Sequence, residues 1–282
     1  MTLQEQLDVF ANLSSVVADM NYLVPMVERP RNYTFDPPPG IPRSNAGHEA
    51  HAVAIRDARP IADALSLDAN GFALVQHRSA VKDFFDDEEV RRVYYPEVER
   101  VVREATGADR VHIFDHTTRR RVPDAEASAD APRQPVRRVH IDHTARSGPQ
   151  RVRDLLPDEA EELLKGRVQV VNLWRPIKGP LLDSPLAVCD ATSIALDDLV
   201  PSDLVYPHRV GETYSVKFNP AHRWYYVPQM RADEALLLKC CDTSTGVPAR
   251  YTPHSAFTDP TAPADAAPRE SIEVRTLVFH RS

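Results

Sequence analysis

His140 and Asp142 stand two residues apart in Arg138-Val139-His140-Ile141-Asp142-His143-Thr144, separated and flanked by β-branched residues. On an extended strand, residues i and i+2 leave the same face. The spacing therefore offers one imidazole and one carboxylate to a single ion while Val139 and Ile141 turn into a core. A second imidazole would complete a set of two His and one carboxylate, which grips a metal from one side and leaves other positions open. The candidate is His254, in Arg250-Tyr251-Thr252-Pro253-His254-Ser255-Ala256-Phe257, with His208 and His222 as rivals. Among 11 His in an acid-rich chain, one His-x-Asp pair is a weak signal by itself. Its weight comes from its setting in a strand and from an arginine later in the chain.

Beyond His254 stands Arg269-Glu270-Ser271, an Arg-x-Ser in an extended run. A guanidinium there can grip a carboxylate bidentately, with the Ser271 hydroxyl adding one hydrogen bond. Residues 269, 271, 273 and 275 share one strand face, so Arg275 competes for the same role; the neighbouring Ser271 favours Arg269. The order His-x-Asp, His, Arg-x-Ser resembles the Fe(II)/2-oxoglutarate-dependent dioxygenases. That resemblance implies Fe(II) held by His140, Asp142 and His254, and 2-oxoglutarate as co-substrate with its far carboxylate on Arg269 and Ser271. Arg275 and Asn172 are further candidates for contact with the co-substrate.

Substrate-binding candidates are Arg175, Tyr225, Tyr226 and His222. Arg175 opens an Arg-Pro at a strand end and would suit a small acid, although such a cation equally serves as a structural ion pair. His222 precedes the aromatic run Trp224-Tyr225-Tyr226, and aromatic runs at strand spacing commonly belong to a core.

Composition narrows the alternatives. A net charge of -7 and a pI near 5.9 argue against nucleic acid or an anionic membrane as the main partner. Three Cys, two of them adjacent in an apolar run, suit buried thiols in a reducing, cytoplasmic setting and offer no Cys-x-x-Cys. Nine Gly against 25 Pro, with no Gly-x-Gly, remove dinucleotide, methyl-donor and phosphate-loop readings. There is no Gly-x-Ser-x-Gly elbow. The first residues lack a basic start and a long apolar core, and no apolar run is long enough to span a bilayer, so neither a leader nor a membrane anchor is expected.

The positioning elements are legible in outline. Leu3, Leu7, Phe10, Leu13, Val17 and Met20 recur at helical spacing, and Pro30, Pro37-Pro38-Pro39 and Pro42 come after them; residues 1–50 read as a helix and a Pro-rich arm. Asn70-Gly71 marks a turn before a strand at 72–75. Residues 86–105 form the best helix, kinked or divided at Pro96. Residues 117–135 read as a loop. Strands are expected at 53–57, 111–115, 168–174, 186–189, 214–218, 224–227, 235–239 and 271–279, with a short helix at 158–165. Many short strands late in the chain and helices mostly early suggest an α+β, mainly β protein: a double-stranded β-helix, or jelly roll, over 51–282 buttressed by helices, forming one domain from 1 to 282.

Longer motifs sharpen the resemblance. Gly71-Phe72, Tyr94-Tyr95-Pro96-Glu97, Phe114-Asp115-His116-Thr117, Pro135 to Asp142, Asn172-Leu173-Trp174-Arg175-Pro176, Asn219 to Tyr226 and Pro268 to Glu273 occur in this order in the CmcJ/AsaB-like hydroxylase/desaturase group, which includes gibberellin-desaturase-like proteins. The similarity runs from about residue 50 to near the end. It favours His254 over its rivals. It implies a non-haem iron, 2-oxoglutarate-dependent oxygenase of secondary metabolism that hydroxylates, desaturates or cyclises a small molecule with dioxygen; the Arg175 cation makes that molecule a carboxylate-bearing one. A homodimer, with the Pro-rich arm on a neighbouring subunit, is the candidate assembly. The alternatives are an iron-dependent oxidase that does not use 2-oxoglutarate and an inactive jelly-roll binding protein.

Overall fold

A computed structural model of the chain describes residues 12–122 and 133–281. In chain order the strands among these residues are β1 (Ser15–Leu23), β2 (Arg31–Tyr33), β3 (His48–Asp57), β4 (Phe72–Gln76), β5 (Arg110–Arg120), β6 (His140–Ile141), β7 (Arg167–Pro176), β8 (Leu186–Cys189), β9 (Leu199–Val205), β10 (Val210–Val216), β11 (Trp224–Tyr226), β12 (Glu234–Asp242), β13 (His254–Ala256) and β14 (Glu270–His280). They form a nine-stranded sheet, β1-β3-β11-β8-β13-β6-β10-β9-β2, and a five-stranded sheet, β4-β12-β7-β14-β5. Bridges from Asn21 to Arg138 and from Leu23 to Lys217 bring β1 back beside β6 and the end of β10, so the larger sheet curls on itself. This is the jelly roll expected from the many short strands.

Side-chain alternation along β7 shows how the layers are filled. Val171 and Leu173 pack with Val98, Val101 and Val102 of the helix Tyr95–Thr106, outside the smaller sheet. Trp174 points the other way, into a core with Val188 and Tyr225 of the larger sheet. The period of two thus sends odd residues of β7 to the helix and even residues between the sheets. The helix itself is divided as Pro96 requires. Asp86 caps the start by accepting from the Glu88 and Glu89 amides, a wide π turn covers Val90–Tyr94, and Pro96, which has no N–H to give, follows directly on that turn in Tyr95–Thr106. Gly107 ends it at φ 65°, the left-handed conformation that glycine adopts without strain.

Three expectations need correction. Residues 15–23 are not helical: all nine pair with β3, burying Ala18, Met20 and Tyr22 on alternate positions while Val17 stays exposed. Leu13, Val17 and Met20 match a helical period by coincidence, and cross-strand pairing overrides it. Leu3, Leu7 and Phe10 lie outside the described residues. The Pro-rich arm joins the sheet at one point, where Arg31–Tyr33 run parallel to β9, while Pro37, Pro38, Pro39 and Pro42 lie outside any strand. Residues 117–120 continue β5 rather than starting a loop, held by pairing with β14; residues 123–132 of that stretch lie outside the described residues. A helix at Ser147–Leu155, which contributes Arg151 to the cavity beside His140 and Asp142, has no counterpart among the expected elements.

Candidate metal centre

β6 and β13 are adjacent antiparallel strands, and their register sets His140 directly opposite His254. Paired residues on neighbouring strands hold their side chains a few ångströms apart, and here the ring centroids are 4.5 Å apart. Asp142 succeeds His140 on the same face: its Oδ1 lies 3.5 Å from His140 Nε2 and 3.9 Å from His254 Nε2. One ligand atom from each of the three residues falls within 4.8 Å of the others, and among the described residues they form the one such cluster. Val139 and Ile141 are fully buried on the opposite face, as the alternation requires.

Main-chain carbonyls aim both rings. His140 Nδ1 lies 2.9 Å from the Arg138 carbonyl and His254 Nδ1 lies 3.0 Å from the Thr252 carbonyl. A carbonyl only accepts, so each Nδ1 carries the proton and each Nε2 lone pair faces the shared space. Burial, and then the neighbouring His254, push the His140 pKa down to about 4, which leaves the ring neutral at pH 7. For Asp142 burial alone would favour protonation. The Arg275 guanidinium is the largest influence outweighing it and holds the carboxyl well below the usual carboxylate range. The Asp142 Oδ2 accepts from Asn172 Nδ2 at 2.8 Å and from Arg275 Nε at 3.2 Å, so Oδ1 is the oxygen left to meet an ion. Two neutral imidazoles and one ionised carboxylate on one side of a pocket are a donor set that fits Fe(II).

The two arginines of β14 differ in company. Arg275 is saturated by acids: besides Asp142 it pairs with Glu273 and with Asp115 Oδ2 at 3.3 Å, and it donates to Thr117 Oγ1 at 3.1 Å. Arg269 is 3% exposed, donates to Ser271 Oγ at 3.0 Å and to the Ser184 carbonyl at 2.9 Å, and lies over the Trp174 ring. No carboxylate pairs with its guanidinium among the described residues. Burial, with Arg119 nearby, pushes its pKa down to about 9, the condition of a cation short of an anion. Arg269 and the three ligand residues line one recess with Trp174, Leu186 and Ser255. The residues present therefore fit a keto acid whose far carboxylate meets Arg269.

The proposed substrate residues are not brought to this recess. Arg175 shares the outer face of β7 with Val171 and Leu173, donates to the His77 carbonyl at 3.3 Å and lies against the Phe84 and Tyr94 rings, beneath the helix layer. The strand parity that aims Asn172 at Asp142 aims Arg175 away from it. Tyr225 is core packed on Phe72, and Tyr226 packs edge-on to Phe257. His222 bonds Asp198 and Tyr22 in a buried structural chain, and His208 is exposed in a loop. The space beside His140 and Asp142 is instead a cavity of about 1140 Å³ whose lining includes Phe114, Arg138, His143, Arg151, Tyr206 and Arg209. Arg138 alone carried a usable signal, since it precedes His140 by two and so shares its face.

Fold and site together define a non-haem Fe(II)/2-oxoglutarate-dependent oxygenase. The family described as an oxidoreductase/YMDC permease-like domain matches residues 20–279. The chain is 35% identical over 254 residues to the Fe(II)/2-oxoglutarate-dependent dioxygenase nvfI of Aspergillus novofumigatus, covering 88% of this chain and 90% of that protein. It is 36% identical over 254 residues to the hydroxylase/desaturase efuI of Hormonema carpetanum, covering 82% and 84%. A solved structure of the iron and alpha-ketoglutarate-dependent endoperoxidase NvfI superposes with a TM-score of 0.86 at 33% identity, over 95% of this chain and 99% of that one. The chain belongs to the Fe(II)/2-oxoglutarate-dependent dioxygenase family, in its CmcJ-like hydroxylase/desaturase group.

Proposed function

We propose that His140, Asp142 and His254 hold the iron of this oxygenase, and that Arg269 and Ser271 hold the far carboxylate of 2-oxoglutarate while it oxidises a small metabolite by hydroxylation, desaturation or ring closure. The enzyme uses Fe(II) with 2-oxoglutarate as co-substrate and acts on a small molecule with dioxygen. The observation that carries the assignment is the convergence of the three ligand atoms within 4.8 Å. When bound, iron and 2-oxoglutarate supply the oxidising power: the keto acid loses carbon dioxide to become succinate as dioxygen is reduced and the substrate oxidised.

The chain's own residues supply position and dryness. Carbonyls 138 and 252 fix the two imidazole tautomers, and Asn172 and Arg275 fix the carboxylate rotamer. Arg275 acts as a positioning residue for Asp142 rather than as a grip for the co-substrate, because its donors already meet three acids. Trp174, stacked on Arg269, covers the guanidinium from one side, so a carboxylate there is read in a medium where charge-assisted bonds are strong.

Chain-wide, we read residues 1–282 as one oxygenase domain working in the cytoplasm, apart from nucleic acid and membranes, with a homodimer as the assembly to test. Three free buried cysteines support the reducing setting. Among the described residues no helix is long and apolar enough to cross a membrane.

Anaerobic titration with Fe(II) and then 2-oxoglutarate, monitored by visible absorption of the chelated keto acid, tests the assignment. Wild type should give the band, His254→Ala should lose it, and Arg269→Ala should need far more 2-oxoglutarate. Iron binding without a band in wild type would favour an oxidase that does not use 2-oxoglutarate.

A further inference from the structure

The arginines of this chain divide into two groups by company. Many are paired: Arg29 with Asp203 and Glu212, Arg59 with Glu234, Arg167 with Asp68 and Asp242, Arg223 with Asp190. Within the cavity beside the metal ligands, Arg120 pairs with Glu270, Arg146 with Glu212 and Arg275 with three acids. Arg138, Arg151 and Arg209 line the same cavity and have neither an ion pair nor a side-chain hydrogen bond among the described residues. Arg138 and Arg151 are half-buried. Arg151 lies over the Phe114 ring at 4.9 Å and Arg209 over the Tyr206 ring at 4.1 Å.

The lining holds eight arginines against five acids, Asp87, Asp115, Asp142, Asp154 and Glu212, so positive charge is in excess there, and cations without an ion pair repel one another and lose hydration, a cost a fold carries where an anion completes the site. A bound Fe(II) would add positive charge nearby; of the co-substrate's two carboxylates the far one is assigned to Arg269 and the keto-acid one would be taken up by the iron, so neither is left for these arginines. The cavity, about 1140 Å³, also presents Phe114, Leu204, Tyr206 and Val210, apolar surface for a hydrocarbon body. Arg138 leaves β6's extension on the face of His140 and Asp142, which puts its guanidinium on the cavity side of the metal ligands.

We propose that this cavity takes an organic acid as the substrate, with its carboxylate received by Arg138 and Arg151 and its ring or chain lying against the Phe114 and Tyr206 side. The proposal rests on the assignment of the metal ligands and of Arg269 and adds the substrate class to it. Anchoring the anion at one end fixes which carbon of the body faces the iron, so the two arginines set the position of oxidation as well as affinity.

The test uses naphthalene-1-carboxylate and its methyl ester as probes, titrated calorimetrically into the full chain loaded with Fe(II) and saturating 2-oxoglutarate without oxygen. Saturating co-substrate keeps the probes off Arg269. The acid should bind roughly 10- to 100-fold more tightly than the ester, the worth of charge-assisted hydrogen bonds. In Arg138→Gln/Arg151→Gln that preference should collapse while 2-oxoglutarate affinity, measured separately, stays as in wild type and certifies the fold. Equal binding of acid and ester, no binding of either, or a preference that survives the double substitution overturns the proposal. A wild type that binds the acid selectively but shows no 2-oxoglutarate band would instead indict the co-substrate assignment and leave the anion site standing.

Discussion

Asn172 donates from Nδ2 to Asp142 Oδ2 at 2.8 Å, joining the inner face of β7 to the carboxylate beside the two histidines. The bond crosses from the smaller sheet to the larger and fixes which carboxylate oxygen faces the imidazoles. Asn172→Ala should lower iron affinity about 10- to 100-fold, the usual effect of losing an outer partner of a metal ligand. Competition against a chelator without oxygen measures it; unchanged affinity would mean that Arg275 alone orients Asp142.

The two arginines of β14 should part company under substitution. Arg269→Gln should weaken 2-oxoglutarate binding roughly 10- to 100-fold with iron affinity retained, since it removes a charge-assisted contact and no partner of Asp142. Arg275→Gln strips the cation from Asp142, Glu273 and Asp115. It should therefore lower iron affinity and thermal stability together, as three acids are left to repel. Separate titrations of metal and co-substrate, with thermal melts, distinguish the two patterns; the opposite assignment would exchange them.

Gly71 links a turn to the metal centre. Its φ is +89°, and a Cβ placed there would come within 2.2 Å of Thr252 Oγ1, whose residue's carbonyl aims His254. Gly71→Ala should destabilise the fold by about 1–3 kcal/mol through backbone strain. It should also weaken iron binding, because Thr252 must move. Urea unfolding and metal titration of the same variant check both halves, and lost stability with intact metal affinity would refute the link.

Stability should fall in acid partly through Glu234. This buried carboxylate pairs with Arg59 and accepts from the Arg231 amide; burial alone would raise its pKa, but these partners pull it down to about 2 from 4.5. A depressed carboxyl contributes stability that is complete above its unfolded value and lost as pH falls toward its folded one. Urea midpoints should therefore drop between about pH 4.5 and 2. Glu234→Gln should flatten that part of the curve, and a parallel curve would show that other carboxylates carry the effect.

Much of the site was legible because strand parity is local. His140 and Asp142 share a face by spacing alone, Asn172 falls on the inner face of β7 by the same count, and Ser271 accompanies Arg269 for the same reason. Parity says which residues share a face but not what lies opposite that face. Arg175 shows the limit: a cation at the end of a strand looked suited to substrate, and tertiary packing turned its face toward the helix layer.

From the sequence alone came the shared face of His140 and Asp142 and the many short strands of the jelly-roll class, consequences of alternation within short windows, while the choice of His254 rested on the family resemblance. The opposition of His140 to His254, the different company kept by Arg269 and Arg275, the strand at Ser15–Leu23 and the unpaired arginines of the cavity were decided only in three dimensions. Each depends on partners far along the chain or on a neighbouring strand. Register across a sheet and the matching of charges through space have no local signature for a single sequence to carry.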